Sequence, residues 1–141
     1  MKKVIYYLML IPLSLTMLVG CSAAKTDVKS LEGKWTIVEV NGEKVSKEKM
    51  PFMEFDMAAL RVHGNGSCNN FNSAIKLDPN NISNISFAPA AATMMACLDM
   101  AVESKIFKNL ELINSVKTGK DSNEIQLLDK EGNVLMVLSK Q

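Results

Sequence analysis

The chain has 141 residues, of which 48% are hydrophobic and 22% are charged, and its formal net charge is +1. This length suits one domain with a single small core. The near balance of 16 basic and 15 acidic side chains excludes the basic excess typical of nucleic-acid-binding domains, so we expect no nucleic-acid partner.

The N-terminus has the layout of a secretory signal peptide. Lys2 and Lys3 precede a mostly apolar run over 4–19, which is too short and ends too abruptly to favour a membrane-spanning helix. The run closes with Leu-Val-Gly before Cys21, which resembles the bacterial lipobox. This resemblance implies a lipoprotein signal peptide over 1–20, acylation of Cys21 and a lipidated tether over 21–30, followed by a domain over 31–141. Three acyl chains would exceed the two signals that stable anchoring needs.

The residues after Cys21 indicate the destination of the anchor. Ser22 rather than aspartate follows the cysteine, which favours the outer membrane by the sorting tendency of such lipoproteins. Only one acid lies within 22–27, so no acidic export signal is present and the periplasmic face is favoured. The membrane is therefore a predicted partner, bound through Cys21.

Two further cysteines, Cys68 and Cys97, remain in the processed chain. An even pair in an oxidising compartment is a disulfide candidate, and the bond would stabilise the fold by about 3 to 4 kcal/mol. The alternative is two buried free thiols that pack as small hydrophobic groups. A third possibility joins them to His63, the single histidine, as a metal site or an activated thiol. The sequence contains no Cys-x-x-Cys motif, nucleophile elbow or phosphate loop that would support such chemistry. We therefore expect no catalytic residue, metal or cofactor.

Short strands account for most of the chain after the tether. Their β-branched or alternating residues and the turn signals between them predict eight strands, at 34–40, 52–56, 60–63, 70–77, 82–87, 115–118, 124–128 and 133–139. Trp35 is predicted to anchor the core, and Asn41-Gly42 is a strong hairpin-turn signal. The segment 62–71 is rich in glycine and asparagine, which predicts a tight and irregular path.

One segment has helical rather than strand periodicity. Asp99 can cap a helix, and the apolar residues that follow at helical spacing are Val102, Ile106, Phe107, Leu110 and Ile113. An amphipathic helix of this kind packs on a sheet. The predicted fold class is therefore α+β and mainly antiparallel β, with a small barrel-like or strongly curved sheet and one α-helix packed against it.

These motifs resemble the META domain (HslJ-like), which is found in heat-inducible lipoproteins of the bacterial envelope. The resemblance covers about 31–139 and is carried by Gly33-Lys34-Trp35, Asn41-Gly42, Pro51, Phe55, Cys68-Asn69, and Thr93 with Met95, Ala96 and Cys97. The chain departs from the family pattern at Ser67, where glycine usually precedes the cysteine, and at 73–75, where a Gly-x-Tyr is replaced. The resemblance implies a compact barrel-like fold, similar to lipoprotein pilots of secretion systems that hold an apolar cavity.

The family has no established catalytic activity and is associated with envelope stress and, in some members, antibiotic tolerance, secretion or virulence. We therefore expect a non-enzymatic lipoprotein that binds an apolar ligand or a protein partner in envelope maintenance or stress response. One alternative is thiol- or metal-dependent activity using His63, Cys68 and Cys97. Another is a protein inhibitor or scaffold in which the Gly/Asn path and the segment 88–95 form one surface. The seven methionines outside the signal peptide, Met94 and Met95 among them, are expected to fill the core.

Overall fold

The computed structural model describes residues 27–141. The predicted signal peptide, Cys21 and the first part of the predicted tether lie outside these residues. The described part opens with a 3-10 turn, Val28–Leu31, that leads directly into the first strand. Among residues 27–141, no helix has the length and apolar content needed to cross a membrane.

Antiparallel strands form a closed barrel. They are β1 (Gly33–Val40), β2 (Glu43–Lys44), β3 (Phe52–Asp56), β4 (Arg61–Asn65), β5 (Asn70–Asp78), β6 (Asn81–Phe87), β7 (Ala91–Ala92), β8 (Ser115–Thr118), β9 (Glu124–Leu128) and β10 (Val134–Lys140). Eight of them follow one another around the barrel in the order β1-β3-β4-β5-β6-β8-β9-β10, and β10 returns to pair with β1. The two-residue strands β2 and β7 are additions to β1 and β5. The predicted fold class, with its barrel-like sheet, is confirmed.

Alternation along the strands fills the barrel with apolar side chains. One hydrophobic cluster takes residues from all eight barrel strands, among them Trp35, Met53, Val62, Ile75, Ile85, Val116, Leu127 and Leu138. The Trp35 side chain is 1% exposed, and its indole Nε1 donates a hydrogen bond to the carbonyl of Leu31 at 2.7 Å. The prediction that Trp35 anchors the core is therefore confirmed. An eight-stranded barrel is just wide enough for such side chains to fill its interior.

The helix α1 (Ala101–Leu110) packs on this core. Ile106 and Leu110 are buried in the cluster, and the Phe107 ring meets the Phe71 ring edge-on at 5.8 Å between centroids. Met100 occupies the N-cap position, while Asp99 accepts a hydrogen bond from the Ala101 amide at 3.1 Å. Asp99 therefore lies one residue before the N-cap and bonds the first helical amide, and the helix begins one residue later than a cap at Asp99 would place it.

The helix is shorter than the apolar periodicity predicted. It ends at Leu110, so Ile113 is not helical, although it is buried with 3% exposure. The amides of Leu112 and Ile113 both donate to the Asn109 carbonyl, which turns the chain sharply and returns Ile113 to the core. The prediction of burial at Ile113 was therefore correct, and that of helix was wrong.

Strands that alternate in direction place their connections at two ends of the barrel. The N-terminal end holds 27–32 and the turns 57–60, 79–80 and 119–123. The loop end holds the turn 41–42, the Gly/Asn loop 66–69 and the long connection 88–100 that leads into α1. The residues that carry the family resemblance around the cysteines therefore meet at the loop end.

Candidate functional site

The side chain of Asn69 joins the Gly/Asn loop to the connection 88–100. Asn69 is 2% exposed, and its Oδ1 accepts hydrogen bonds from Thr93 Oγ1 and from the Met95 amide, both at 2.7 Å. Its Nδ2 donates to the Met95 carbonyl at 3.0 Å and to Glu103 Oε1 at 2.7 Å. One buried amide thus uses two acceptor and two donor positions to hold the two segments together.

Glu103 connects the same loop to the helix. Its side chain is 1% exposed, and Oε2 accepts hydrogen bonds from the Cys68 amide at 3.0 Å and from the Asn69 amide at 2.5 Å. Among residues 27–141, no basic side chain forms an ion pair with it. Its position in the first turn of α1 also places its negative charge at the favourable end of the helix dipole. A Cβ on Gly66 would lie 2.8 Å from Glu103 Cγ, so glycine leaves room for the carboxylate.

A disulfide completes this arrangement. Cys68 and Cys97 are bonded, with 6.2 Å between their Cα atoms, which supports the predicted pairing over two free thiols. We call the six residues that connect loop 66–69, connection 88–100 and α1 the clasp: Cys68, Asn69, Thr93, Met95, Cys97 and Glu103.

The bond also bears on the predicted alternative of thiol or metal chemistry. With both sulfurs bonded to each other, neither is a thiolate that could bind a metal or attack a substrate. His63 lies on the exposed face of β4, where its Nε2 is 3.3 Å from Glu54 Oε2 across the strand pair. The residues described here, 27–141, contain no group of three potential His, Cys, Asp or Glu ligands. The structure therefore does not bring His63, Cys68 and Cys97 together as a site.

Ser67 is the strained position of loop 66–69. Its φ is 100°, a region that favours glycine, and its Oγ is buried without a hydrogen-bond partner within the described chain. The META pattern usually has glycine at this position, so this departure from the pattern coincides with backbone strain.

Replacing Ser67 with glycine is expected to raise the free energy of unfolding by about 1 kcal/mol. The change removes both the strain of a Cβ at positive φ and a buried hydroxyl without a partner, and the greater freedom of unfolded glycine offsets part of the gain. Urea denaturation measures the effect. Ser67→Ala separates the two causes, because it removes the hydroxyl and keeps the Cβ. A Ser67→Gly variant less stable than the parent would contradict the assignment.

Beyond the clasp, the connection 88–100 presents an exposed apolar surface, and we call it the methionine loop. Met94 is 98% exposed, Met95 is 53% exposed and Leu98 is fully exposed. No charged residue occurs in 88–98. The first charge, Asp99, accepts a hydrogen bond from Lys49 Nζ, which lowers the pKa of the Asp99 carboxyl. The expectation that methionines fill the core is therefore wrong for Met94 and Met95, and also for Met50 outside this loop.

The methionine loop and the Gly/Asn path, 62–71, share one surface, as the scaffold hypothesis expected. β7 lies in the loop and pairs with β5, with Ala92 opposite Phe71 and Ala91 opposite Asn72. An open groove of about 440 Å³ crosses β3, β4, β5 and β7 there. Its lining residues are Phe52, His63, Gly64, Asn70, Phe71, Asn72, Ala91, Ala92 and Thr93.

Glu103 is the site residue that sequence reasoning missed. A signal was present, because Glu103 lies three residues before Ile106 and seven before Leu110 and so shares their buried face. A carboxylate on an apolar helix face needs partners when it is buried. These partners are main-chain amides of a distant loop, which periodicity does not reveal.

Comparisons with known proteins agree with this fold. A family model described as the META domain matches residues 27–141. A solved NMR structure of a protein from Burkholderia xenovorans superimposes with a TM-score of 0.63 at 14% identity, covering 82% of this chain and 88% of that chain. At this identity the likeness shows the fold alone. Comparison with curated proteins gives no match.

Proposed function

This chain belongs to the META domain family, and we propose that it is a non-enzymatic outer-membrane lipoprotein that binds a protein partner through its methionine loop. The observation that carries the proposal is the exposure of Met94, Met95 and Leu98 on a loop that the clasp holds in place. We assign this binding to envelope maintenance or stress response, in keeping with the family resemblance.

Exposed apolar side chains on a fixed loop favour binding in two ways. Contiguous apolar surface left in water often marks a protein or membrane interaction site. A loop already held by a disulfide and by the Asn69 hydrogen bonds loses little conformational entropy when a partner binds. Methionine side chains are flexible and polarisable, so they adapt to the partner surface without movement of the backbone.

The position of the predicted anchor favours a partner over the anchoring membrane. Asp27 lies at the N-terminal end of the barrel, and the methionine loop lies at the opposite end. The six steps from Cys21 to Asp27 span at most about 21 Å, less than the roughly 23 Å covered by the seven steps of the eight-residue β1 alone. A lipid anchor at Cys21 therefore directs the loop away from the membrane that holds it.

The anchor is tested by metabolic labelling with an alkyne fatty acid. The full chain is expected to incorporate the label and to fractionate with outer membranes, and Cys21→Ser is expected to lose both properties because lipidation at this position begins on the thiol. Ser22→Ala is the matched control and keeps the label. Label that persists in Cys21→Ser would show that the lipobox assignment is wrong.

The partner is tested by photo-crosslinking in intact cells. A benzophenone amino acid at Met94 is expected to give one discrete protein adduct, and the same group at Lys117, an exposed position on the barrel wall, is expected to give none. Leu98→Ser is expected to reduce the Met94 adduct at least fivefold, because it removes an exposed apolar contact. A lipid adduct at Met94 would favour the apolar-ligand alternative, and equal adducts at both positions would contradict a specific surface.

A further inference from the structure

β7 is bonded along only one of its edges. The Thr93 amide donates to the Asn70 carbonyl at 3.0 Å, and Ala91 is paired with Asn72. In an antiparallel pair the main-chain groups of successive residues point alternately toward and away from the partner strand. The N–H and C=O of Ala92 therefore point away from β5, and no strand within residues 27–141 pairs with that edge.

The side chain of Asn69 adds one more pair of hydrogen bonds beyond the pairing of β5 with β7. The Met95 amide donates to Asn69 Oδ1 and the Met95 carbonyl accepts from Asn69 Nδ2, as a neighbouring strand would provide. Residues 91, 93 and 95 thus all bond toward the β5 side, although β7 itself ends at Ala92. The same alternation leaves the main-chain groups of Ala92 facing the open edge, and we extend it to those of Met94.

Apart from its short length, this edge lacks the usual protection against pairing. Natural edge strands are guarded by shortness, by charged side chains, by proline within the strand or by a covering loop, and of these β7 has only its two-residue length. Here every residue from 89 to 99 is exposed, and 88–98 carries no charge. Pro89 precedes β7 and does not interrupt it.

We propose that the partner adds an extended, uncharged segment to the free edge of β7 as a β-strand. Hydrogen bonds to the main chain of Ala92 and Met94 would supply the pairing, and alternate apolar side chains of the segment would cover the Met94 side chain on one face. The inference rests on the proposed function and defines how the same loop binds.

Two other candidates for binding the free edge of β7, the predicted tether and the anchoring membrane, are disfavoured by the position of the predicted anchor. The predicted tether reaches Asp27 at the N-terminal end of the barrel, so its six steps from Cys21 cannot cover the loop end. The anchoring membrane lies beyond that same N-terminal end. The free edge of β7 carries no charge, so it offers no ion pair to an acidic or basic segment. For this reason the proposed segment is uncharged.

The test uses the folded full-length protein in detergent and a short peptide of alternating threonine and valine, acetylated and amidated at its ends. Binding is followed by NMR, with amide hydrogen exchange read at Ala92 and Met94. We expect the peptide to slow exchange at both amides, because they become donors to the added strand. Ala92→Pro removes an outward N–H that the fold does not use and is expected to weaken binding at least tenfold. The same peptide N-methylated throughout is expected to weaken binding equally on the unaltered protein, which keeps the test valid if Ala92→Pro does not fold.

The outcomes distinguish this inference from the proposed function. No peptide binding at millimolar concentration, or binding that neither change weakens, would overturn strand addition. If the Met94 adduct in cells persists in that case, the loop binds its partner by side chains and the proposed function stands. If the peptide adds to β7 but Met94 gives no adduct in cells, the edge is competent and the proposed function fails.

Discussion

Replacing Glu103 with alanine is expected to lower the free energy of unfolding by about 3–5 kcal/mol, the largest effect of any single side chain in the clasp. The carboxylate accepts from the main-chain amides of Cys68 and Asn69 and from Asn69 Nδ2. Its removal would leave the two amides without a partner and would take from Nδ2 one acceptor, leaving the Met95 carbonyl. Each buried donor left unsatisfied costs about 1–3 kcal/mol, and the loss of packing adds to this cost. Urea denaturation of a soluble form that lacks the signal peptide and Cys21 would measure it.

The same helix supplies a matched control. Glu111 is exposed and follows the last helical residue, so Glu111→Ala is expected to change stability by less than about 0.5 kcal/mol. Glu103→Gln keeps one acceptor oxygen but turns an amide donor toward other donors, and its loss is expected to fall between those of the two alanine variants. If Glu103→Ala resembled Glu111→Ala, Glu103 would not hold the loop.

Removing the disulfide is expected to cost about 3–4 kcal/mol. Cys68 and Cys97 are 29 residues apart, and the loop-entropy model gives a value in this range for a bond that closes such a loop. This is a large share of the roughly 5–15 kcal/mol that stabilises a typical domain. The double variant Cys68→Ala with Cys97→Ala, compared with the parent by urea denaturation without reductant, measures the cost.

Reductant provides an internal comparison for this prediction. Dithiothreitol is expected to lower the stability of the parent to about the level of the double variant and to leave the double variant unchanged. The loss is also expected to begin locally, because the Met95 amide would be held by Asn69 without the covalent link nearby. Faster hydrogen exchange at Met95 than in β1 would show this. A parent whose denaturation curve is insensitive to reductant would contradict a stabilising bond.

These two effects give the family motif a physical meaning. Cys-Asn and Thr-x-Met-Ala-Cys are the residues that join two loops of the barrel to one another, through Asn69, Thr93, Met95 and the disulfide. The motif therefore specifies how the methionine loop is held, while the loop's own exposed side chains, Met94 and Leu98, lie at positions where the motif sets no residue.

Much of the barrel was predictable because its strands follow simple alternation. The ranges 52–56, 115–118 and 124–128 match the observed strands, since polar and apolar side chains alternate against one filled interior. β2 and β7 were not predicted, because a two-residue strand is defined by its partner and has no periodicity of its own. Closure of the sheet was expected only as one of two shapes, since strand order depends on pairings between distant residues.

The site was less predictable than the fold. The Cys68 to Cys97 bond was the favoured expectation from cysteine parity and the predicted compartment. The exposure of Met94 and Met95 did not follow from residue type, because methionine is common in cores and at binding surfaces alike. The role of Glu103 could not be predicted without knowing which loop faces the helix. The free edge of β7 depends on the Asn69 side chain replacing a strand, which no local pattern reveals.

Closure of the barrel by β1 and β10 has a consequence for export. The strand Gly33–Val40 pairs with Val134–Lys140. The barrel can therefore close only when the first strand meets the last strand to be synthesised. Contacts between such distant residues form slowly, because a long loop must close first. A nascent chain that still lacks β10 cannot complete this fold, which suits the export that the N-terminal sequence predicts, because such export passes an unfolded polypeptide across a membrane. Under that prediction, the barrel would close only after the C-terminal strand has crossed, in a compartment where Cys68 and Cys97 can be oxidised.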